Sequence, residues 1–351
     1  MRRSAADKSE DGTVAIVDNG VYVDGQRTAN PENLDQTFEL KRDHGGMAWI
    51  GLYRPDDAEI QRVADEFALH ELAVEDALHG HQRSKLERYG ETLFAVLRPA
   101  RYLDAEEMVE FGELHVFVGP DFIVTIRQAE SPDLAKVRRR LEARPELLAL
   151  GPQAVLYAIL DEVVDQYAPV VAGLENDIDE IEDELFSSAP DVARRIYDLS
   201  REVIGFQRAT HPLRPMLDAL LADAEKEDMD SELQPRLRDV QDHVLRIIER
   251  IDSFRILLQN ALSVHATLVT QRQNEEMRHL SEASLAQSEE VKAISSWAAI
   301  LFAPTLVGTV YGMNFEFMPE LDWPLGYPFA LALMLLMGVG LYLTFKRKKW
   351  L

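Results

Sequence analysis

The sequence predicts an α+β domain, a very long stalk helix and a C-terminal hairpin of two transmembrane helices, assembled as a homo-oligomer. Three observations lead to this fold class. Strand-like alternation with turn signals fills much of residues 13–130, and helix signals run from 235 to 310 without a strong breaker. Two long apolar segments without charges then lie near the C-terminus, at residues 294–310 and 327–345.

The second apolar segment holds 19 residues, which at ~1.5 Å rise per residue cross the ~30 Å hydrocarbon layer. Only residues 311–326 join the two segments, so the spans must form a hairpin. A basic run of this kind directly after a span stays on the cytoplasmic side. We therefore expect a multi-pass protein of the inner or plasma membrane with both termini cytoplasmic, and membrane lipid as one partner. The basic tail consists of Lys346, Arg347, Lys348 and Lys349.

The formal net charge is −24, and residues 1–293 carry −25 of it, because residues 294–351 hold four basic and three acidic side chains. Such a surface repels nucleic acid and attracts cations, although solubility alone explains most of the carboxylates. Cysteine is absent, which excludes disulfides and thiolate metal sites and fits a reducing cytoplasm. Residues 1–12 lack the apolar core of a signal peptide and are expected to form a disordered leader.

Residues 13–150 are expected to form the α+β cytoplasmic domain. The run Asp18-Asn19-Gly20 within an apolar stretch predicts a type I′ hairpin turn. Helix signals take over from Pro132. Strands are predicted at residues 92–97, 114–118 and 122–126.

Residues 151–230 are expected to form a hairpin of two long helices with a break near 187–190. One face of the first helix carries an apolar stripe at helical spacing, and its other faces hold seven acids within 175–184. Because like charges at this spacing repel, we expect a solvated or arginine-paired face rather than a metal site. The stripe consists of Leu174, Ile178, Ile181 and Leu185, and the candidate partners are Arg194, Arg195, Arg201, Arg208 and Arg214.

Residues 231–293 form the predicted stalk helix, which continues into the first span. A helix of this length is not stable alone, so it must pack against copies or neighbours, and homo-oligomerisation is the simplest solution. The stalk contains a repeat at an offset of 14 residues, 273–281 against 287–295. Two heptads keep the apolar face in phase while lengthening the stalk by ~21 Å.

One helical face of the first span alternates hydroxyls with apolar side chains and leads to Asn314. Ordinary packing would explain this face taken alone, and Gly-Met-Asn could be a simple turn between helices. Together they indicate a pore, because Gly312 frees the backbone where the helix ends and an oligomer multiplies the Asn314 carboxamide into a ring. The predicted pore-lining residues are Ser288, Val291, Ile294, Ser295, Ala298, Phe302, Thr305 and Thr309.

The loop and its flanks resemble a known family. Tyr311-Gly312-Met313-Asn314-Phe315, followed by Met318-Pro319-Glu320-Leu321, a second span and a basic cluster before Trp350-Leu351, is similar to the CorA family of magnesium channels. A weaker similarity covers residues 81–87, where the family commonly has Pro in place of Ser84.

The resemblance implies a sheet between helical layers, a homopentamer, and Mg2+ as both the transported and the regulatory ion. Gly312, Met313 and Asn314 would then form the selectivity filter at the outer mouth. Mg2+ gives up its water reluctantly, so neutral oxygens suit a mouth that holds the hydrated ion. An outer acidic rim that concentrates divalent cations would surround it, formed by Glu316, Glu320 and Asp322.

Influx through such a pore needs no ATP, because two charges crossing ~100 mV gain about 4.6 kcal/mol, at ~2.3 kcal/mol per charge. Unregulated influx would collapse the membrane potential, so a sensor is expected. An apolar gate would close by dewetting, with Val291, Ile294 and Phe302 as its rings.

In CorA-type proteins, acidic residues at subunit interfaces of the cytoplasmic domain bind Mg2+ and hold the pore shut. By local match we assign this role to Asp239, with Glu87 or Glu91 across the interface, and Asp179 is a further candidate. Each could equally be an ordinary salt-bridged surface acid.

Two other functions stay open. A transporter of Zn2+, Co2+ or Ni2+ would keep the same architecture, but the spans contain no histidine or acidic cluster, which favours Mg2+. A membrane-tethered scaffold or sensor would use the hairpin only as an anchor. No enzyme motif is present, and His79-Gly80-His81 is a weak zinc signal that is more typical of loop residues.

Overall fold

The computed structural model describes residues 16–80, 83–128, 131–187, 191–226, 232–314, 318–319 and 322–351. The predicted leader, residues 1–12, lies outside these ranges. Contacts along the chain define two units, the first ending at His265 and the second beginning at Ala266.

The first unit is built on a mixed β-sheet. The strands of this unit, in chain order, are β1 (Ile16–Val23), β2 (Gln26–Ala29), β3 (Met47–Tyr53), β4 (Lys85–Tyr89), β5 (Thr92–Leu97), β6 (Ala100–Leu103), β7 (Met108–Phe111), β8 (Leu114–Val118) and β9 (Phe122–Arg127). Within the described ranges, the main sheet has the order β2-β1-β3-β9-β8-β5-β4, and β6 pairs with β7 separately. Neighbouring strands are antiparallel except β3 and β9, which run parallel.

The helices, in chain order, are α1 (Leu34–His44), α2 (Asp57–Glu66), α3 (Glu71–His79), α4 (Leu134–Glu142), α5 (Pro145–Leu148), α6 (Pro152–Asp165), α7 (Tyr167–Ser187), α8 (Val192–Thr210), α9 (Leu213–Lys226), α10 (Leu233–Tyr311) and α11 (Gly326–Arg347).

Helices cover both faces of the sheet. Successive residues of β9 alternate between two apolar cores, as the period of a strand requires. Val124 packs with Leu34 of α1 and Ile60 of α2, whereas Ile123 belongs to the opposite core with Ile159 of α6. The predicted α+β class, with its sheet between helical layers, is therefore confirmed.

The hairpin turn predicted at residues 18–20 is wrong. Strand β1 runs through this segment and pairs with β3, so that Asn19 lies opposite Ile50. Asn19 is 4 % exposed, and its side-chain amide donates a hydrogen bond to Thr37 of α1. The turn falls at Asp24 and Gly25 instead, with φ angles of 48° and 73°. Asn19, a residue type common in turns, thus makes a tertiary contact that the local sequence does not reveal.

Residues 152–226 hold four helices where two long ones were expected. The chain breaks between α6 and α7, and again between α8 and α9, where Pro212 has no N–H to continue the helical ladder. The predicted break in between is confirmed, because α7 ends at Ser187 and α8 begins at Val192. The apolar stripe of α7 is also confirmed, since its four residues are buried in the core.

The long helix predicted over 235–310 is confirmed as α10, which has 79 residues. Its N-terminal part packs in the first unit through residues such as Val244, Ile251 and Phe254. Helix α11 has 22 residues, and by length and composition both helices can cross a membrane. Pro304 lies inside α10.

Gly25→Ala is expected to destabilise the protein more than Gly90→Ala. Both glycines have left-handed φ angles, 73° and 61°, where an L side chain costs roughly 1 kcal/mol. A Cβ on Gly25 would lie 1.9 Å from the carbonyl oxygen of Pro145, whereas a Cβ on Gly90 would meet nothing within 4 Å.

The midpoint of thermal unfolding of the full-length protein measures this difference. We expect Gly25→Ala to lower the midpoint by several degrees more than the matched Gly90→Ala control. Equal shifts would contradict the close approach between the β1–β2 turn and α5.

Candidate functional site

The second unit packs α10 against α11 through small residues. Ser296, Ala303 and Val307 of α10 are 1 %, 8 % and 8 % exposed, and they lie on one side of the helix. On the facing helix, a Cβ added to Gly338 would lie 3.9 Å from Pro304 Cγ. A Cβ there would be at ordinary van der Waals distance, so Gly338 lies directly beside Pro304 in the contact between the two helices.

The predicted pore-lining residues lie on the opposite side of α10. At 100° per residue, Phe302 and Thr305 are turned away from the Ala303–Val307 side that contacts α11. Val291, Ile294 and Phe302 are 54 %, 68 % and 67 % exposed. The remaining members are exposed as well: Ser288, Ser295, Ala298, Thr305 and Thr309. In the described part of one protomer, this face therefore stays exposed along its length.

The threonine hydroxyls of this face bond their own helix. Thr305 Oγ1 donates to the Leu301 carbonyl at 3.0 Å, and Thr309 Oγ1 donates to the Thr305 carbonyl at 2.8 Å. The two hydroxyls are thus satisfied without a second helix, and their oxygens keep a free lone pair for a ligand.

The Gly-Met-Asn motif follows the last turn of α10. The Gly312 N–H donates to the Gly308 carbonyl at 2.9 Å, and all three motif residues are exposed. A Cβ on Gly312 would lie only 3.2 Å from that carbonyl oxygen, and Gly312 does not adopt a left-handed φ. A larger residue at this position would therefore need a small shift of the chain, and the expectation that Gly312 supplies an unusual backbone angle is not met.

The predicted outer rim is described only in part. Asp322 is exposed, whereas Glu316 and Glu320 lie outside the described residues.

Aromatic pairs mark both ends of the apolar segments. Trp297 and Tyr342 have ring centres 6.4 Å apart, on the side of the basic tail. Trp323 and Phe329 are paired at 5.8 Å at the other end. Trp and Tyr are enriched at membrane interfaces, so these pairs are placed as a membrane-spanning hairpin requires.

The acidic face of α7 is partly neutralised by arginine. Arg195 of α8 contacts Glu180, Glu184 and Glu107, the last two at 2.6 and 3.1 Å. Burial lowers the pKa of Arg195, but the hydrogen bond with Glu180 and the neighbouring charges raise it more. The predicted arginine pairing is confirmed for this residue, and Asp179 stays exposed.

Asp177 of α7 differs from its acidic neighbours because it is buried. Burial raises the pKa of its carboxyl, which accepts a hydrogen bond from the Tyr102 hydroxyl at 2.7 Å. It is therefore a structural contact between α7 and β6.

Asp239, the predicted regulatory residue, lies at the edge of a small acidic group. His243 is 4.0 Å from Asp239 through Nε2 and 4.0 Å from Asp165 of α6 through Nδ1. Burial raises the pKa of Asp161, Arg140 lowers it, and the charges of Asp165 and Asp239 raise it further. Sequence reasoning missed the α6 members, whose only signal is their spacing of four residues on a helix.

Glu87 and Glu91 belong to a different neighbourhood. Glu87 accepts hydrogen bonds from Lys85 at 2.6 Å and from the Tyr89 hydroxyl at 3.1 Å. Glu91 is exposed beside the β4–β5 turn. Across the described part of one protomer, no three or more His, Asp or Glu side chains are placed to hold a metal ion.

The weak zinc signal at residues 79–81 is not part of any group of three or more metal-binding side chains among the described residues. His79 Nδ1 lies 2.9 Å from the Glu75 carbonyl within α3. His81 lies outside the described residues.

These features define a class: a membrane protein with an α+β domain, a long helix and a helical hairpin whose one face is left for other copies. A sequence model of the family described as CorA-like Mg2+ transporter protein matches residues 44–347. The chain belongs to this family of metal ion transporters.

Individual relatives agree with this assignment. YfjQ of Bacillus subtilis is 33 % identical over 305 residues, covering 86 % of this chain and 89 % of that protein. The cobalt/magnesium transport protein CorA of Thermotoga maritima is 29 % identical over 315 residues, covering 88 % and 85 %. The solved structure of the CorA magnesium transporter from Methanocaldococcus jannaschii shares the fold with a TM-score of 0.56 at 19 % identity, covering 96 % and 99 %.

The Trp297–Tyr342 contact is expected to stabilise the α10–α11 hairpin measurably. In a double-mutant cycle of Trp297→Leu and Tyr342→Leu, we expect a coupling of about 0.5 to 1.5 kcal/mol, the range of aromatic pairs. Unfolding of the full-length protein by SDS titration provides the free energies. The control cycle of Trp297→Leu with Trp323→Leu should give additive losses, and additivity in both cycles would contradict the contact.

Proposed function

We propose that this protein is a homo-oligomeric channel that carries Mg2+ into the cell down the membrane potential. The single observation that supports this most is the exposed face of α10, which continues through an apolar segment and ends at Asn314. Family membership supports the ion class, because the relatives named above include a cobalt/magnesium and a magnesium transporter.

Self-assembly follows from the stalk part of α10. Met277 and Leu280 are 61 % and 65 % exposed, and with Val291 and Ile294 they occupy heptad positions. Apolar side chains at this spacing are costly in water unless other copies cover them. The proposed assembly is a pentamer, in keeping with the resemblance to CorA channels.

Selection at the outer mouth would rest on neutral oxygens. A ring of Asn314 carboxamides can accept hydrogen bonds from the water shell of Mg2+ without replacing it. Gly312 keeps the chain close to the end of α10, and Met313 completes the filter. Asp322, with Glu316 and Glu320, would raise the local cation concentration.

Further in, the pore would be lined by Ser295, Ala298, Thr305 and Thr309. Rings of Val291, Ile294 and Phe302 would close it by excluding water, because their side chains offer no hydrogen bonds to a hydrated ion. Two charges crossing ~100 mV release about 4.6 kcal/mol, so conduction needs no chemical energy.

Closure by internal Mg2+ is the proposed role of the acidic residues in the first unit. Asp239 lies near Asp161 and Asp165, so negative potential is already concentrated there. No complete site exists within the described part of one protomer, which fits a site completed by a neighbouring copy. Glu87, Glu91 and Asp179 are the proposed contributors.

The proposed topology places both termini and the basic tail in the cytoplasm and residues 311–326 outside, in the cell membrane. Co2+ is the second candidate substrate, because the Thermotoga maritima relative is a cobalt/magnesium transport protein. Ni2+ and Zn2+ are less favoured, since the described parts of the two spans contain no histidine. A simple membrane tether would leave the motif at 312–314 without a function.

Asn314→Ala is expected to abolish Mg2+ influx while leaving folding intact. The measurement is fluorescence of an internal Mg2+ indicator in proteoliposomes held inside-negative with potassium and valinomycin. Asn274→Ala, the same substitution at an exposed position of α10 outside the apolar segment, should conduct like the wild type. Equal influx in both variants would favour the tether.

Asp239→Asn is expected to remove the effect of Mg2+ on the cytoplasmic unit. If Asp239 binds regulatory Mg2+, millimolar Mg2+ should protect the wild-type oligomer from limited proteolysis and fail to protect the variant. Asp242→Asn, one turn further along the exposed surface of α10, is the matched control. Protection retained in Asp239→Asn would assign the sensor to other residues.

A further inference from the structure

The C-terminal residues fold back on the end of α11. Lys349 has a left-handed φ of 56°, and the Trp350 N–H donates to the Phe345 carbonyl at 3.0 Å. This backbone turn places the penultimate residue of the chain beside the helix instead of beyond it.

Aromatic contacts hold the turn in place. The rings of Trp350 and Phe345 are nearly parallel, at 13°, with centres 5.7 Å apart. The Lys348 ammonium lies 5.4 Å from the centre of the Trp350 ring. Both contacts favour one orientation of the indole.

Trp350 reaches the face of α10 that is assigned to the pore. The indole lines a groove of about 510 Å³ with residues from three turns of α10. Three of these are predicted pore-lining residues: Ser288, Val291 and Ser295. The other lining residues are Ser284, Gln287 and Lys292.

A second contact lies just beyond this groove. Ser296 is 1 % exposed against α11, and Trp297 pairs with Tyr342 at 6.4 Å. Helix α10 is thus attached to α11 immediately after Ser295, while Trp350 borders the groove before that point. A displacement of Val291 has to change the position of α10 relative to the indole.

We propose that Trp350 is a positioning residue of the inner gate, supporting α10 at Val291 so that the closed arrangement is favoured. This inference rests on the proposed function, because the gate belongs to it.

The first test is Mg2+ influx of full-length Trp350→Ala in proteoliposomes. At high internal Mg2+ we expect residual influx to rise about fivefold to tenfold, the factor for losing about 1 to 1.4 kcal/mol of aromatic contact. At low internal Mg2+ the open-channel rate should equal that of the wild type. Trp350→Phe keeps a ring on Phe345 and should restore closure, and Trp323→Ala is the control at the other end of the hairpin.

The second test needs no transport. The chain has no cysteine, so Ser288→Cys can carry a single bimane label, whose fluorescence a nearby indole quenches. We expect quenching that Trp350→Phe abolishes and that weakens when Mg2+ is removed. The inference would be overturned if Trp350→Phe or the removal of Mg2+ left the quenching unchanged. It would also be overturned if Trp350→Ala left the residual influx unaltered.

The two tests separate the possible failures. Absence of Mg2+ influx in the wild type would contradict the proposed function, whereas the bimane signal would still report whether Trp350 contacts this face and responds to Mg2+.

Discussion

The face of α10 that α11 does not cover is the constraint on which the rest of the structure depends. Small residues such as Ser296 and Ala303 bring α11 against one side of the helix, and the other side stays exposed in the described part of a protomer. Inside the apolar segment, leaving this side uncovered costs little free energy, because the hydroxyls of Thr305 and Thr309 bond their own backbone. In the stalk, exposed Met277 and Leu280 are costly in water. The drive to assemble therefore comes from the stalk, and the continuous helix aligns the face within the membrane.

The carboxylates of the first unit fall into two groups, those of α7 that pair with arginine and those around Asp239. Arg195 and Arg250 neutralise the α7 carboxylates Glu180, Glu184 and Glu175, which fixes the orientation of the helices around them. In the group around Asp239, Arg140 pairs with Asp161 at 3.0 Å, whereas Asp239 and Asp165 have His243 at 4.0 Å. Our proposal assigns the response to Mg2+ to the second group, while the paired carboxylates of α7 stabilise the fold.

The sequence alone was sufficient to predict the features that depend on composition and on the spacing of apolar residues. Uncharged apolar runs predicted α11 and the membrane part of α10, and the four-residue stripe predicted the buried side of α7. Sequence reasoning failed at Asn19. This polar residue resembles a turn residue in its local sequence, but it bonds to Thr37 across the fold. Sequence reasoning also missed Asp161 and Asp165, which meet Asp239 only after α6 and α10 have packed. The groove that Trp350 shares with α10 could not be predicted for the same reason, since the other lining residues lie about 55 to 66 residues away along the chain.

The most direct measurement is the rate of Mg2+ influx into proteoliposomes as a function of an imposed potassium–valinomycin potential, without nucleotide or proton gradient. Conduction through an oligomeric pore predicts a rate that grows with inside-negative potential and a flux that reverses when the potential is inverted at equal Mg2+. A rate that is insensitive to potential, or influx that appears only with a proton gradient, would contradict a channel and point to a coupled transporter of the same fold.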